Sequence, residues 1–92
     1  MKENQVRRLE RVFKGVSNHW RIKILLIILD NPKITLEGIV KKIKGNYQTT
    51  AEHVQRLKIA GLICKKYQGR SVVHNLSPYG LQMIKIIKNF PV

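Results

Sequence analysis

Two runs of helical periodicity, separated by one short turn containing glycine, limit the folds open to this chain more than any other feature. In the first, Leu36, Ile39, Val40 and Ile43 recur at i, i+3, i+4 and i+7, with Glu37, Lys41, Lys42 and Lys44 pointing away and Thr35 placed as an N-cap. This predicts a helix of about ten residues. Lys44-Gly45-Asn46 interrupts the pattern. Helical spacing then resumes through Thr50, Ala51, Val54, Leu57 and Lys58, predicting a second helix over residues 47–60 with Gly61 as its C′ residue. Two short helices joined in this way match the helix-turn-helix unit, whose members pack at a steep angle.

The flanking sequence supplies what such a pair needs to pack against. Over residues 4–17, Val6, Leu9, Val12, Phe13 and Val16 recur at helical spacing, while Arg7, Arg8, Arg11 and Lys14 lie largely on other faces. Residues 21–30 are apolar on nearly every side, as expected of a short helix surrounded by its own domain, and Asn31-Pro32 stops them. Beyond Gly61, residues 62–67 and 71–76 read as two strands joined through Gln68-Gly69-Arg70, a hairpin with a basic tip. Ser77-Pro78 pairs an N-cap with a proline at N1 and opens a last helix carrying Leu81, Met83, Ile84, Ile86, Ile87 and Phe90. The order helix-helix-helix-helix-strand-strand-helix makes the fold class α+β, mostly α: a winged helix-turn-helix. At 92 residues, without internal repeat or linker, the chain reads as one domain, residues 1–92, with the helix-turn-helix at about 35–60 and the wing at about 62–76.

Charge narrows the function. Eighteen Lys and Arg against five Asp and Glu leave a net +13, so most cationic side chains lack a carboxylate partner within the chain and a polyanion outside it is expected. Residues 33–70 hold nine of them (Lys33, Lys41, Lys42, Lys44, Arg56, Lys58, Lys65, Lys66 and Arg70) against Glu37 and Glu52 alone. A membrane is not the expected partner: the longest apolar run, residues 24–29, is six residues where a span needs about 20, and the N-terminus offers no apolar stretch for a signal peptide. A single cysteine, Cys64, excludes an internal disulfide and a thiolate metal cluster, and suits a reducing, cytoplasmic location. It reads as a small buried or half-buried residue, and Trp20 and Phe13 as core. Five scattered carboxylates, with no Gly-rich phosphate loop or nucleophile motif, give no basis for an enzyme. No cofactor and no metal site are expected.

With Val54 set inward, residues 47–60 acquire one anchoring face and one face of polar groups suited to base edges in a major groove. Tyr47, Thr50, Ala51, Leu57 and Lys58 fall on or near the packed side; Gln48, Thr49, Glu52, His53, Gln55 and Arg56 turn outward. Gln48 and Thr49, near the end that enters deepest, are the candidate base readers: glutamine bonds adenine at two points, and threonine donates, accepts or packs its methyl against thymine. Glu52 is suited to accept from a cytosine amine. His53 and Arg56 are candidates for phosphate, with His19 and His74 expected too far from His53 to share a metal. Lys41, Lys42 and Lys44 before the turn, Tyr47 at the first turn and Arg70 at the wing tip complete the candidate DNA face, Arg70 entering a narrow minor groove where negative potential is strongest.

The segment His53-Val-Gln-Arg-Leu-Lys-Ile-Ala-Gly-Leu-Ile63 closely resembles the recognition-helix signature of the ArsR-type winged-helix transcription regulators. Trp20-Arg21-Ile-Lys-Ile-Leu25 resembles that family's Arg-x-x-Ile-Leu opening of the second helix, Leu36-Glu-Gly-Ile-Val40 sits where its helix-turn-helix begins, and Leu76-Ser77-Pro-Tyr-Gly80 resembles the Leu-Thr-x-x-Gly leading into its last helix. The resemblance covers about the whole chain. It implies a homodimer formed through the first and last helices, and sequence-specific binding of double-stranded operator DNA, with a repressor as the expected role. Metal-sensing members carry paired cysteines on the first helix of the motif; here Leu36-Glu37-Gly38-Ile39-Val40 stands there, and Ala51 replaces the usual recognition-helix serine, so no thiolate metal switch is expected and no effector is indicated.

The apolar stripes of the helices at about 4–17 and 78–90 exceed what so small a core can cover. Val6, Leu9, Phe13 and Val16 with Met83, Ile84, Ile87 and Phe90 are therefore the expected two-fold interface, which sets two recognition helices one helical turn of DNA apart. An architectural protein that coats DNA with little sequence preference is the alternative that the charge also suits.

Overall fold

The computed structural model describes residues 1–92. Five helices and a small sheet follow one another as α1 (Glu3–Val16), α2 (His19–Asp30), β1 (Ile34–Thr35), α3 (Leu36–Ile43), α4 (Tyr47–Ile59), β2 (Ile63–Gln68), β3 (Ser71–Leu76) and α5 (Pro78–Asn89). This is the winged helix-turn-helix order, mostly helical, with one strand more than the sequence predicts.

Local chemistry sets most of the boundaries. Thr35 Oγ1 accepts from Gly38 N at 3.2 Å to start α3, and Ser77 Oγ accepts from Gly80 N at 3.0 Å to start α5, where Pro78 occupies the first turn. α2 starts two residues earlier than its apolar run because Asn18 Oδ1 takes the N–H groups of Trp20 and Arg21, at 2.9 and 3.3 Å. Gly61 adopts φ +81° beyond α4, a left-handed C′ position that glycine occupies without steric cost.

The sheet runs in the order β1-β3-β2, antiparallel throughout, with Ile63 opposite Leu76 and Gln68 opposite Ser71, so that Gly69-Arg70 forms the tip of the wing. β1 has two residues, too few to show alternation, and exists through its partner: Lys33 N donates to His74 O at 3.1 Å, and His74 Nδ1 donates to Ile34 O at 2.9 Å. His74 is only 2% exposed. Burial above all pushes its pKa down, assisted by Lys65, while the bond to Ile34 and the charge of Glu37 pull the other way.

One core joins all the helices and the wing base. Ile24, Leu25 and Ile28 of α2, Ile39 of α3, Val54 and Leu57 of α4, and Leu62 are almost completely buried, each contributing about 1.5–3 kcal/mol of transfer free energy. α2 lies at the centre, which is why its sequence is apolar all round.

The depressed His74 pKa carries a sign. An unfolded histidine takes its proton near pH 6.5, roughly, whereas the folded ring resists until lower pH. The neutral ring's contribution is therefore complete above that value and is lost as pH falls below it. His53, depressed for the same leading reason, adds to the effect. The apparent Tm is expected to fall as pH is lowered from about 7 to about 5; a Tm that rises across that window contradicts the assignment of His74 as a neutral donor.

Candidate nucleic-acid interface

α4 is held by one face and bare on the other. Thr50, Val54 and Leu57 are buried and Ala51 is half-buried, whereas Gln48, Thr49, Glu52, Gln55 and Arg56 are exposed. Asn46 Oδ1 accepts from Thr49 N at 3.0 Å, so the cap comes from the turn and leaves the Gln48 amide and the Thr49 hydroxyl unengaged within the chain. Gln55 Oε1 accepts from Lys65 Nζ at 3.0 Å, joining the bare face to the root of the wing. Tyr47 and Lys58, expected on or near the packed side, are exposed. Both stand at the margin of the packed face that Thr50, Val54 and Leu57 define rather than on it.

Arg21, which sequence reasoning quoted only as part of a motif, positions this helix. Its Nε donates to Gly15 O at 2.6 Å and its Nη2 to Lys14 O at 3.2 Å, where Ser17 N also donates, so the guanidinium helps to satisfy the carbonyls at the end of α1. Its Nη1 lies 3.4 Å from His53 Nδ1. A guanidinium has only N–H donors, so Nδ1 accepts and the ring's proton sits on Nε2. Burial first, then Arg21, holds the His53 pKa down; Arg56 and His19 act in the same sense and Glu52 opposes them. His53 is thus a neutral, half-buried group, on which the charge of His19 also bears slightly. The His19 and Trp20 rings meet at a tilt of 40° with centroids 4.8 Å apart, and Lys23 Nζ sits 4.8 Å from the Trp20 ring centroid.

The turn and wing extend the same charged surface. Lys41, Lys42 and Lys44 are exposed, Lys44 in the left-handed conformation at φ +56° that turns the chain from α3 toward α4. Arg70 at the wing tip shares a cleft of about 380 Å³ with Tyr47, Glu37 and Leu36, so the hairpin and the first turn of α4 lie on one side of the molecule. Tyr67 on the wing is 85% exposed, which the sequence does not reveal because a tyrosine in an alternating strand reads equally well as inward-facing. Only two ion pairs form, Arg7 with Glu3 and Lys14 with Glu10, both on exposed stretches of α1. None of the nine cations between residues 33 and 70 has an ion-pair partner in the chain.

A second surface lies across α1 and α5. Val6, Leu9, Phe13 and Phe90 are exposed and Ile87 is half-buried. Val16, Met83 and Ile84 must be corrected: at 9, 4 and 5% exposure they already belong to the core of one protomer and leave a partner almost no surface. They line the inner side of each amphipathic stripe, and periodicity does not separate inner from outer. Trp20 and Phe13, expected in the core, are exposed at 39 and 49%, and Cys64, expected buried or half-buried, is exposed because it is the second residue of the edge strand β2, on the face opposite the buried Ile63. Between α1 and α5 runs a largely apolar groove of about 400 Å³, lined by Leu9, Val12, Phe13, Tyr79, Met83 and Ile86 among others. Nowhere do three His, Cys, Asp or Glu side chains gather to hold a metal, and no helix is long and apolar enough to cross a membrane.

No family model and no curated protein sequence matches this chain. Solved structures do. HlyU from Vibrio cholerae is 22% identical, with a TM-score of 0.80 over 95% of this chain and 94% of that one. The homodimeric winged helix-turn-helix DNA-binding domain of Mb0332 from Mycobacterium bovis, a possible ArsR-family transcriptional regulator, is 19% identical at TM-score 0.80 over 97% and 88%. The transcriptional repressor PagR of Bacillus anthracis is 15% identical at TM-score 0.84 over 94% and 99%. The likeness spans nearly the whole of each chain and shows that this one has the winged helix-turn-helix fold.

Proposed function

We propose that this protein is an ArsR-like transcriptional regulator that binds double-stranded DNA as a homodimer, α4 reading bases in the major groove and the wing and turn holding phosphates. One observation carries the reading: the α4 face bearing Gln48, Thr49, Glu52 and Arg56 is uncovered, amid cations that have no carboxylate partner. Gln48 and Thr49 read base edges; Glu52 accepts from a cytosine amine; Arg56, Lys41, Lys42, Lys44 and Arg70 meet phosphates or the minor groove. Tyr47, Gln55 and His53 flank the readers. The neighbours described as transcriptional regulators support this reading, as does the Mb0332 domain described as homodimeric.

The interface is the part of the α1 and α5 stripes left exposed, Val6, Leu9, Phe13 and Phe90, with the half-buried Ile87 and with Tyr79 and Ile86 added by the groove. Light scattering at micromolar concentration is expected to give twice the 10.7 kDa chain mass, and duplex affinity to fall linearly with salt on logarithmic axes. A monomeric mass removes the dimer, and absent or salt-insensitive duplex binding removes the DNA function. The net +13 also favours a second reading, a protein that coats DNA, which near-equal affinity for unrelated duplexes separates from a regulator.

A further inference from the structure

At the C-terminal end of α4, next to Arg56, α1 and α4 converge on a cleft of about 190 Å³ lined by Arg11, Lys14, Arg21 and Arg56, with Gly15, Ile59 and Ala60 between them. Four cations from three helices meet there and no carboxylate lines the cleft. Arg21 is fixed in place by its bonds to the carbonyls of Gly15 and Lys14 and to His53, so it cannot swing away from its neighbours. The Arg21 pKa is lowered by burial and then by the charge of Arg56, a sign of the repulsion that builds up inside the cleft. The nearest relief is one long contact, Lys14 Nζ to Glu10 at 3.8 Å, between side chains that are both mostly solvated. Arg11 and Lys14 are exposed and adjust to an incoming group, while Arg21 supplies a rigid donor at the base. A forked guanidinium set beside mobile cations is the chemistry that recognises a phosphate group.

We propose that this cleft is an anion site for a phosphate group, separate from the bases that α4 reads and independent of whether α4 reads them. The phosphate comes either from the DNA backbone beside the contacted groove or from a free phosphate-bearing small molecule. The cleft was not visible in the sequence because Arg11, Lys14, Arg21 and Arg56 are spread over 46 residues and converge only through the α1, α2 and α4 packing.

The test uses the full chain and inorganic pyrophosphate, followed by amide NMR against sodium chloride at equal ionic strength. Saturable shifts at Gly15, Ile59 and Ala60 in the low-millimolar range, abolished by the surface double variant Arg11→Gln/Lys14→Gln, are the expected result. Shifts no larger than those from sodium chloride, or equal shifts in the double variant, overturn the proposal. Given the expected result, duplex titration identifies the source: a salt slope reduced by about one in the double variant assigns the site to the DNA backbone, and an unchanged slope assigns it to a free ligand.

Discussion

Replacing Gln48 and Thr49 together by alanine is expected to reduce preference for the operator over random duplex by roughly 10²-fold at fixed salt, since each good base-edge contact discriminates by about 1–3 kcal/mol. Neither side chain is charged, so the slope of affinity against salt is expected to stay unchanged and binding to random duplex to persist. Both residues are exposed, and the Asn46 cap to the Thr49 backbone N–H survives the substitution. The Tm is therefore expected to hold, which separates lost readout from lost folding. Competition binding against unlabelled random duplex measures the effect, and an undiminished preference shows that these two residues are not the readers.

The largest expected effect on stability comes from Gly80→Ala. Gly80 is buried in the first turn of α5, and a Cβ there would lie 2.1 Å from Leu62 O and 3.2 Å from the Leu62 carbonyl carbon. Backbone, not a flexible side-chain tip, is what it meets. Leu62 cannot yield: its side chain is fully buried, its O accepts from Ser77 N at 3.0 Å, and its N donates to Leu57 O at 3.0 Å. Retreat of α5 instead breaks the Ser77 cap on Gly80 N. Overpacking of this kind costs about 3 kcal/mol or more, against at most about 1 kcal/mol gained from alanine's better helix propensity. For a domain this size the net corresponds to a Tm lower by roughly 10 °C or more. Thermal unfolding by circular dichroism reads it directly, and an unchanged or higher Tm shows that α5 does not press on Leu62 as described.

Gly80 also shows what a sequence can reveal. Its place in Leu76-Ser77-Pro-Tyr-Gly80 marks the start of a helix, because caps and proline act locally, but the reason it must be glycine is the Leu62 carbonyl, eighteen residues earlier and just before β2. The same division runs through the fold. Thr35, Gly61, Ser77 and Pro78 set their boundaries by neighbours a few residues away, and those boundaries are legible. β1 is not, since two residues hold a strand only through His74, forty residues on.

In the candidate site, periodicity around Val54 separates the buried face of α4 from Gln48, Thr49, Glu52, Gln55 and Arg56. It does not reveal that Arg21 reaches from α2 to steady His53, or that Val16, Met83 and Ile84 face the protomer's own core while Leu9 and Phe13, on the same stripe, face outward. A stripe about 100° wide has an inner and an outer edge, and only the packed structure distinguishes them. Cys64 and Trp20 fail for a related reason: residue type predicts burial on average, and both stand at element ends where the average does not apply.

Selection of bound duplexes from a random pool tests the central assignment most directly, because it asks whether the uncovered face of α4 carries sequence information. Enrichment of an inverted repeat with half-sites about one helical turn apart, favoured over random duplex by at least about 10³ at physiological salt, is the expected result. A pool that emerges as random as it entered contradicts it.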